Sequence, residues 1–241
     1  ACFESGNMGE MPHRYVLGLY ELLERLTNAF PDVLFEGCSG GGGRFDAGML
    51  YYCPQIWCSD DTDAFERTKI QYGTSFFYPV SAVGSHISAV PNHQTGRITP
   101  IETRAVTAMA GSFGYELDLN TLSDEEKQKV KEQIVRFKQD GPLIHNGLYY
   151  RLSNPMTDKF AVWEFVSENR TDVIVNGVIF RTEPNSRQYS IKLRGLLPEA
   201  DYRLAENGKV YKGSALMNGG ILLPKSWGDY APVEMHFTVE V

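Results

Sequence analysis

The chain has 241 residues, 42% of them hydrophobic, 22% charged and 12% aromatic. That is enough for a large buried core in one or two domains and excludes a disordered chain. Its 23 glycines and 12 prolines follow no period, which excludes collagen and coiled coil, and a net charge of −7 without a Lys/Arg cluster argues against a nucleic-acid partner.

No apolar run of about 18 residues is present to span a membrane. No basic start followed by an apolar run marks a signal peptide. Cys2, Cys38, Cys53 and Cys58 are too few for a disulfide framework and read as reduced thiols of a cytoplasmic protein. Cys53 and Cys58 form a lone C-x₄-C pair, and His86 and His93 are seven apart. That spacing makes no metal site, and no cofactor is expected.

In chain order, Tyr15, Leu19, Leu22, Leu23 and Leu26 recur at three and four and predict a helix over 13–29. Pro31 stops it. Residues 33–35 read as a short buried strand ending at Glu36, followed by a glycine loop over 37–43. One or two helical turns fit 45–52. A second strand at 54–57 runs into Cys58-Ser59-Asp60-Asp61-Thr62-Asp63 and a helix over 64–72, whose first turn suits the acids at 61–63. A third strand is expected at 75–80, a long loop carrying His86 and His93 at 81–99, and a helix at 100–110. A fourth strand follows at 113–119. The Ser123-Asp124-Glu125-Glu126 capping box opens a helix over 124–139, which Gly141-Pro142 should end.

Beyond residue 147 the pattern changes. Short runs rich in Val, Ile, Tyr and Phe at 149–152, 159–167, 172–181, 188–193, 201–205 and 233–241 are split by turn residues such as those at 184–186. They predict an antiparallel β-sandwich. The preceding βα repeats imply a parallel sheet, either half of a (β/α)₈ barrel or a small open sheet. No G-x-G-x-x-G follows a strand, which disfavours a dinucleotide fold. The expected domains are therefore 1–147 and 148–241.

Reacting groups in such sheets sit at the carboxyl ends of strands. Glu36 and the Asp60-Asp61 pair stand at two such ends, and paired carboxylates are what glycoside hydrolysis needs. Trp57 beside them suits stacking on a sugar ring. The plain alternative is that Asp60 and Asp61 only cap the helix behind them. The glycine run lets backbone N–H groups approach a ligand. It lacks the Gly-Lys-Ser/Thr of a phosphate loop, since Arg44-Phe45 follows.

The strings Phe35-Glu36-Gly37-Cys38-Ser39-Gly40-Gly41-Gly42-Gly43-Arg44-Phe45-Asp46, Gly48-Met49-Leu50-Tyr51-Tyr52 and Trp57-Cys58-Ser59-Asp60-Asp61-Thr62-Asp63 resemble the retaining bacterial α-galactosidases of glycoside hydrolase family 36, the melibiases and raffinases. The resemblance continues through Lys69-Ile70-Gln71-Tyr72-Gly73, Pro91-Asn92-His93-Gln94 and Phe113-Gly114-Tyr115-Glu116-Leu117-Asp118-Leu119. Gly37 and Cys58 stand where a Ser or Thr is expected. The resemblance implies the second half of a (β/α)₈ barrel, from its fourth helix onward, followed by a C-terminal β-sandwich. It implies that Asp60 is the general acid/base, and that Cys38 and the Ser39, Gly40 and Gly41 backbone contact galactose hydroxyls. Trp57, Asp61 and Glu36 would support them.

The family nucleophile is an Asp in a Lys-Trp-Asp motif, and Trp57, Trp163 and Trp227 all have other neighbours. The resemblance thus implies a C-terminal portion whose catalytic pair is incomplete. Residues 1–147 are also too few for a complete barrel, which takes about 200 or more. The expected partners are α-galactoside sugars, the N-terminal part of the same enzyme and further copies of the chain, with no nucleic acid and no membrane. The alternative function is a non-catalytic module, structural or weakly sugar-binding.

Overall fold

The computed structural model describes residues 9–185 and 187–240. Cys2, Ser186 of the turn expected at 184–186, and Val241 of the last expected strand lie outside them. The chain divides into two compact units, 1–60 and 61–241.

In the first unit, helix α1 runs over Glu10–Ala29. Leu19, Tyr20 and Leu23 on one face pack on Met49, Cys53 and Ile56, as their three- and four-residue spacing requires. Strand β1 is Glu36–Gly37 and pairs in parallel with β2, Gln55–Trp57. The strand expected at 33–35 is thus displaced. Val33 and Leu34 are 51% and 86% exposed, and in the observed register Phe35 would face Pro54, which has no N–H to give. Between the strands lie a single tight turn, α2 (Ser39–Gly42), and helix α3 (Ala47–Tyr52). Asp46 caps α3 by accepting from the Met49 N–H at 2.9 Å.

The second unit begins with α4 (Ala64–Thr74) and a 3₁₀ turn at Val80–Ala82. Strand β3 is Val83–Ser88, α5 is Ile101–Ala108, β4 is Ser112–Glu116 and α6 is Asp124–Asn146. β3 and β4 pair in parallel, from Gly84↔Ser112 to Ser88↔Glu116. Two elements differ from those expected. The strand placed at 75–80 is not one: Phe76 and Phe77 are exposed there, and the strand forms at Val83–Ser88, which puts His86 on β3 and not on a loop. The helix placed at 124–139 runs through Gly141-Pro142 to Asn146. Pro142 forfeits one backbone bond, but the added turn buries Ile144 against Ala161 and Phe165. Asn146 Nδ2 donates back to the Pro142 carbonyl at 3.0 Å.

Next come β5 (Leu148–Arg151), β6 (Phe160–Val166), β7 (Asp172–Ile179), β8 (Ser190–Ile191), β9 (Asp201–Leu204) and β10 (Val210–Lys212). Helix α7 (Gly213–Asn218), β11 (Ile221–Leu222) and β12 (Ala231–Val239) complete the unit. Six of these strands form one antiparallel sheet in the order β10-β9-β12-β7-β6-β5, and β8 pairs with β11 in a second, small sheet. Both sheets and α7 share a core that includes Val175, Phe237, Leu193 and Leu216.

The opposite face of the large sheet is also covered. Ala161, Trp163 and Phe165 of β6 pack with Ala105, Ala108 and Met109 from α5 and the residue after it, and with Ile144 of α6. β6 and β7 are accordingly buried along almost their whole length, Glu164 and Asn176 included, whereas burial along β12 alternates.

Candidate active site

The glycine run folds as a left-handed turn. Ser39, Gly40, Gly41 and Gly42 have φ of 59°, 64°, 72° and 93°. The Gly42 N–H closes on the Cys38 carbonyl at 2.9 Å, and the Gly43 N–H on that of Ser39 at 3.2 Å. Glycine adopts this backbone freely, whereas Ser39 holds it at a cost of about 1–2 kcal/mol. Strain kept in this way is a common mark of a functional loop.

The turn lies against the end of β2. A Cβ on Gly41 would stand 2.6 Å from the Asp60 backbone nitrogen and 3.1 Å from its carboxyl carbon. A Cβ on Gly42 would stand 2.9 Å from the Trp57 carbonyl oxygen. Only a chain without side chains brings its backbone this close to Asp60. Asp60 is exposed, and its carboxylate has no hydrogen-bond partner among the described residues. Of the residues singled out in the sequence, Ser39, Gly40, Gly41, Trp57 and Asp60 therefore gather in one place, with Cys38, an exposed free thiol, at the start of the turn. Glu36 is placed otherwise. It opens β1, is exposed, and its carboxylate accepts from Gln55 Nε2 at 2.8 Å.

The segment leading into the turn's far side is also built. Asp46 accepts from the Tyr20 hydroxyl at 3.1 Å as well as from Met49. A Cβ at Gly48 would collide with that hydroxyl, which accounts for the Asp-x-Gly spacing.

In the second unit, Asp61 and Asp63 share the work of starting α4. Asp61 Oδ1 accepts from the Asp63 N–H at 2.9 Å. Asp63 caps the helix, accepting from the Phe65 N–H at 2.9 Å and the Glu66 N–H at 3.4 Å. Asp63 is also bound by Thr95 Oγ1 and by Arg97, each at 2.5 Å. Burial pushes its carboxyl up, but the bonds from Thr95 and Arg97 outweigh this and hold it below the usual carboxylate range. Asn92 Nδ2 donates to Thr62 Oγ1 at 3.1 Å, and the Arg97 guanidinium lies 4.6 Å from the Phe65 ring centroid. The sequence reading missed this latch. An Asp before a helix is legible as a cap, but partners some thirty residues away carry no local signal.

Among the described residues, no group of three or more His, Cys, Asp and Glu is arranged to hold a metal, and no helix is long and apolar enough to cross a membrane.

Comparison with known proteins places the chain in a family. The Melibiase family matches residues 3–147, and the glycosyl hydrolase family 36 C-terminal domain matches 160–237. The chain is 56% identical over 230 residues to the bifunctional alpha-galactosidase/sucrose kinase AgaSK of Mediterraneibacter gnavus, covering 95% of this chain and 25% of that protein. It is 48% identical over 221 residues to alpha-galactosidase AgaA of Geobacillus stearothermophilus, covering 92% of this chain and 30% of that protein. A crystal structure of an AgaA variant in complex with raffinose superposes with a TM-score of 0.93 at 45% identity, over 96% of this chain and 32% of that one. The chain thus spans about a quarter to a third of the length of these relatives. Part of a TIM barrel followed by an antiparallel β domain is the fold that both halves of the match describe, and the chain belongs to the melibiase family, with a family 36 C-terminal domain after it.

Proposed function

We propose that this chain is the acid/base-bearing portion of a retaining α-galactosidase that releases terminal α-galactosyl residues from melibiose and the raffinose series. The observation that carries the reading is the approach of Gly41 to Asp60. A bare left-handed backbone beside an exposed carboxylate offers hydrogen bonds to sugar hydroxyls within reach of a proton donor. In this reading Asp60 protonates the departing glycosidic oxygen and then deprotonates the incoming water. The Cys38 thiol and the Ser39–Gly41 backbone hold galactose hydroxyls near the reacting carbon. Trp57 shapes the wall of the site, Glu36 supports the strand pair, and Asp61 braces the turn behind Asp60. The raffinose bound by the AgaA variant supports the substrate class.

Residues 1–147 belong to the catalytic barrel and 148–241 to the C-terminal domain. The enzyme works in the cytoplasm and forms homo-oligomers. No Lys-Trp-Asp occurs in these residues, so the chain by itself lacks the carboxylate that forms the glycosyl-enzyme intermediate. That second carboxylate stands only about 5–5.5 Å from the first in retaining enzymes.

The test is an assay of the purified chain on an aryl α-galactoside, free of host enzyme, alone and mixed with the N-terminal part of a relative such as AgaA. The expected result is no turnover alone. Steady turnover by the chain alone would overturn the reading and return Glu36 as the nucleophile.

A further inference from the structure

A cavity of about 540 Å³ opens on the β domain, between the residues that follow β7 and those that connect β11 to β12. Its volume falls in the range of small-molecule sites, about 300–1,000 Å³. Arg181, Arg187, Lys225, Asn185, Gln188 and Trp227 give it its chemistry.

Three observations define what it would hold. The first is the aromatic surface. Trp227 is 82% exposed, which is unusual for so large an apolar ring. Its loop is nonetheless anchored. The Thr182 N–H donates to Asp229 Oδ1 at 2.9 Å, and the Thr182 hydroxyl donates to the Gly228 carbonyl. On the other side, Gln188 Nε2 donates to the Leu223 carbonyl at 3.0 Å, and the Leu223 N–H to that of Tyr189 at 2.8 Å. The indole is a platform on a braced rim.

The second observation is charge. Arg181 and Arg187 make no hydrogen bond or ion pair among the described residues. Lys225 leans its ammonium to 5.1 Å from the Trp227 ring centroid. The carboxylate on this wall, Glu183, is already taken: both its oxygens accept from Lys159 Nζ at 2.8 Å. Arg181, Arg187 and Lys225 thus line one cavity on a chain whose net charge is −7, against the single carboxylate of Glu183, which Lys159 binds and Arg181 also attracts.

The third is the balance of donors and acceptors. The guanidinium and ammonium groups are donors only, and no free carboxylate is present to receive a hydroxyl proton. A neutral sugar can hydrogen-bond the Asn185 and Gln188 amides but leaves the cations without an anion. A phosphate monoester, which only accepts, is well matched, and Arg forks suit it. A ring attached to it, a planar base or the C–H face of a pyranose, would cover the indole.

We propose that this cavity is a second, non-catalytic site that binds a small phosphomonoester carried on a ring, either a sugar phosphate or a nucleotide. The proposal uses none of the residues assigned above to catalysis and stands apart from that reading.

Binding to the purified chain tests it, by titration calorimetry and by Trp fluorescence, with glucose 6-phosphate, AMP, inorganic phosphate and raffinose as probes. One of the two ring phosphates is expected to bind with a Kd of about 1 mM or tighter, a weak but specific affinity. Inorganic phosphate should bind at least about tenfold more weakly, because the stacking surface contributes nothing to it. Trp227→Ala should lose about tenfold and Trp227→Phe should recover most of it. The double variant Arg181→Ala/Arg187→Ala should abolish binding, and raised salt should weaken it. Glucose 6-phosphate alone binding would identify a sugar phosphate, and AMP alone a nucleotide. Saturation by neither below about 10 mM, equal binding of raffinose, or unchanged binding in Trp227→Ala would each overturn the proposal.

Discussion

Gly41 stands against Asp60 so closely that a single methyl group on it would overlap the Asp60 backbone nitrogen, at 2.6 Å. Gly40, one residue earlier, has the same left-handed backbone but nothing within 4 Å of its missing Cβ. The two glycines therefore separate backbone strain from steric approach. Gly40→Ala should cost about 1–2 kcal/mol of stability from φ alone and leave the Asp60 backbone in place. Gly41→Ala adds a clash with backbone and should shift Asp60 itself. Thermal melts of both variants, with galactose binding in a full-length enzyme carrying this segment, check the difference: a modest loss for Gly40→Ala and loss of binding for Gly41→Ala.

The acid role of Asp60 has a kinetic signature. In a full-length enzyme that contains this segment, Asp60→Asn should slow raffinose hydrolysis more than that of an aryl galactoside with a good leaving group. Protonation matters most when the departing oxygen is a poor leaving group, and general acid catalysis contributes about 10²–10⁴-fold. Equal losses on both substrates would remove Asp60 from that role. Asp61→Asn should act mainly through stability, since its oxygen braces the Asp63 N–H.

Asp63 ties stability to acid pH. Its carboxyl lies below the ordinary range in the folded chain because of Thr95 and Arg97, despite its burial. The unfolded chain then binds its proton more readily, and the stabilisation is present above the unfolded value near 3.8. It is lost as pH falls through the lower, folded value. Asp63→Asn should flatten the acid side of a Tm–pH profile. Asp63→Ala, which leaves the Arg97 guanidinium without its carboxylate and α4 without its cap, should cost on the order of 3–5 kcal/mol.

Glu164 works in the opposite sense. It lies in β6 fully buried, with one oxygen accepting from the Arg194 N–H at 2.7 Å. Desolvation pushes its carboxyl up to about 8 from an ordinary 4.5, although the bond from the Arg194 backbone opposes the shift. The folded chain holds this proton more tightly than the unfolded one, so stability from Glu164 is present below about 4.5 and drains away as pH rises toward 8. Glu164→Gln keeps the acceptor and removes the titration. It should raise Tm at pH 8 by roughly 10 °C, since a shift of this size is worth about 4 kcal/mol there at about 2–4 °C per kcal/mol for a chain of this size, and change it far less at pH 5. Equal shifts at both pH values would point to packing instead.

The sequence by itself determined the features whose signals are local. The periodic apolar face of α1 predicted that helix, and Ser123 with Glu126 predicted the start of α6: the Ser123 N–H meets Glu126 Oε2 at 3.0 Å and the Glu126 N–H meets Ser123 Oγ at 3.2 Å. The four glycines announced a backbone that approaches something closely, and the ordered strings around them carried the family. Tertiary structure alone decided where weak local preferences compete. Residues 75–80 are rich in aromatics and read as a strand, yet Phe76 and Phe77 are left in solvent. The strand forms instead at Val83–Ser88, where small residues fit a tight space: Ser85 Oγ donates to Gln71 Oε1 at 3.2 Å, and a Cβ on Gly111 would meet the Val83 carbonyl at 2.6 Å. In the same way, burying Ile144 outweighed the helix-breaking preference of Gly141-Pro142. Asp61 and Asp63 brace and cap α4 through local bonds, but the partners that hold the Asp63 carboxylate are distant in sequence. A one-dimensional pattern records the types of those partners, but only packing brings Thr95 and Arg97 onto Asp63.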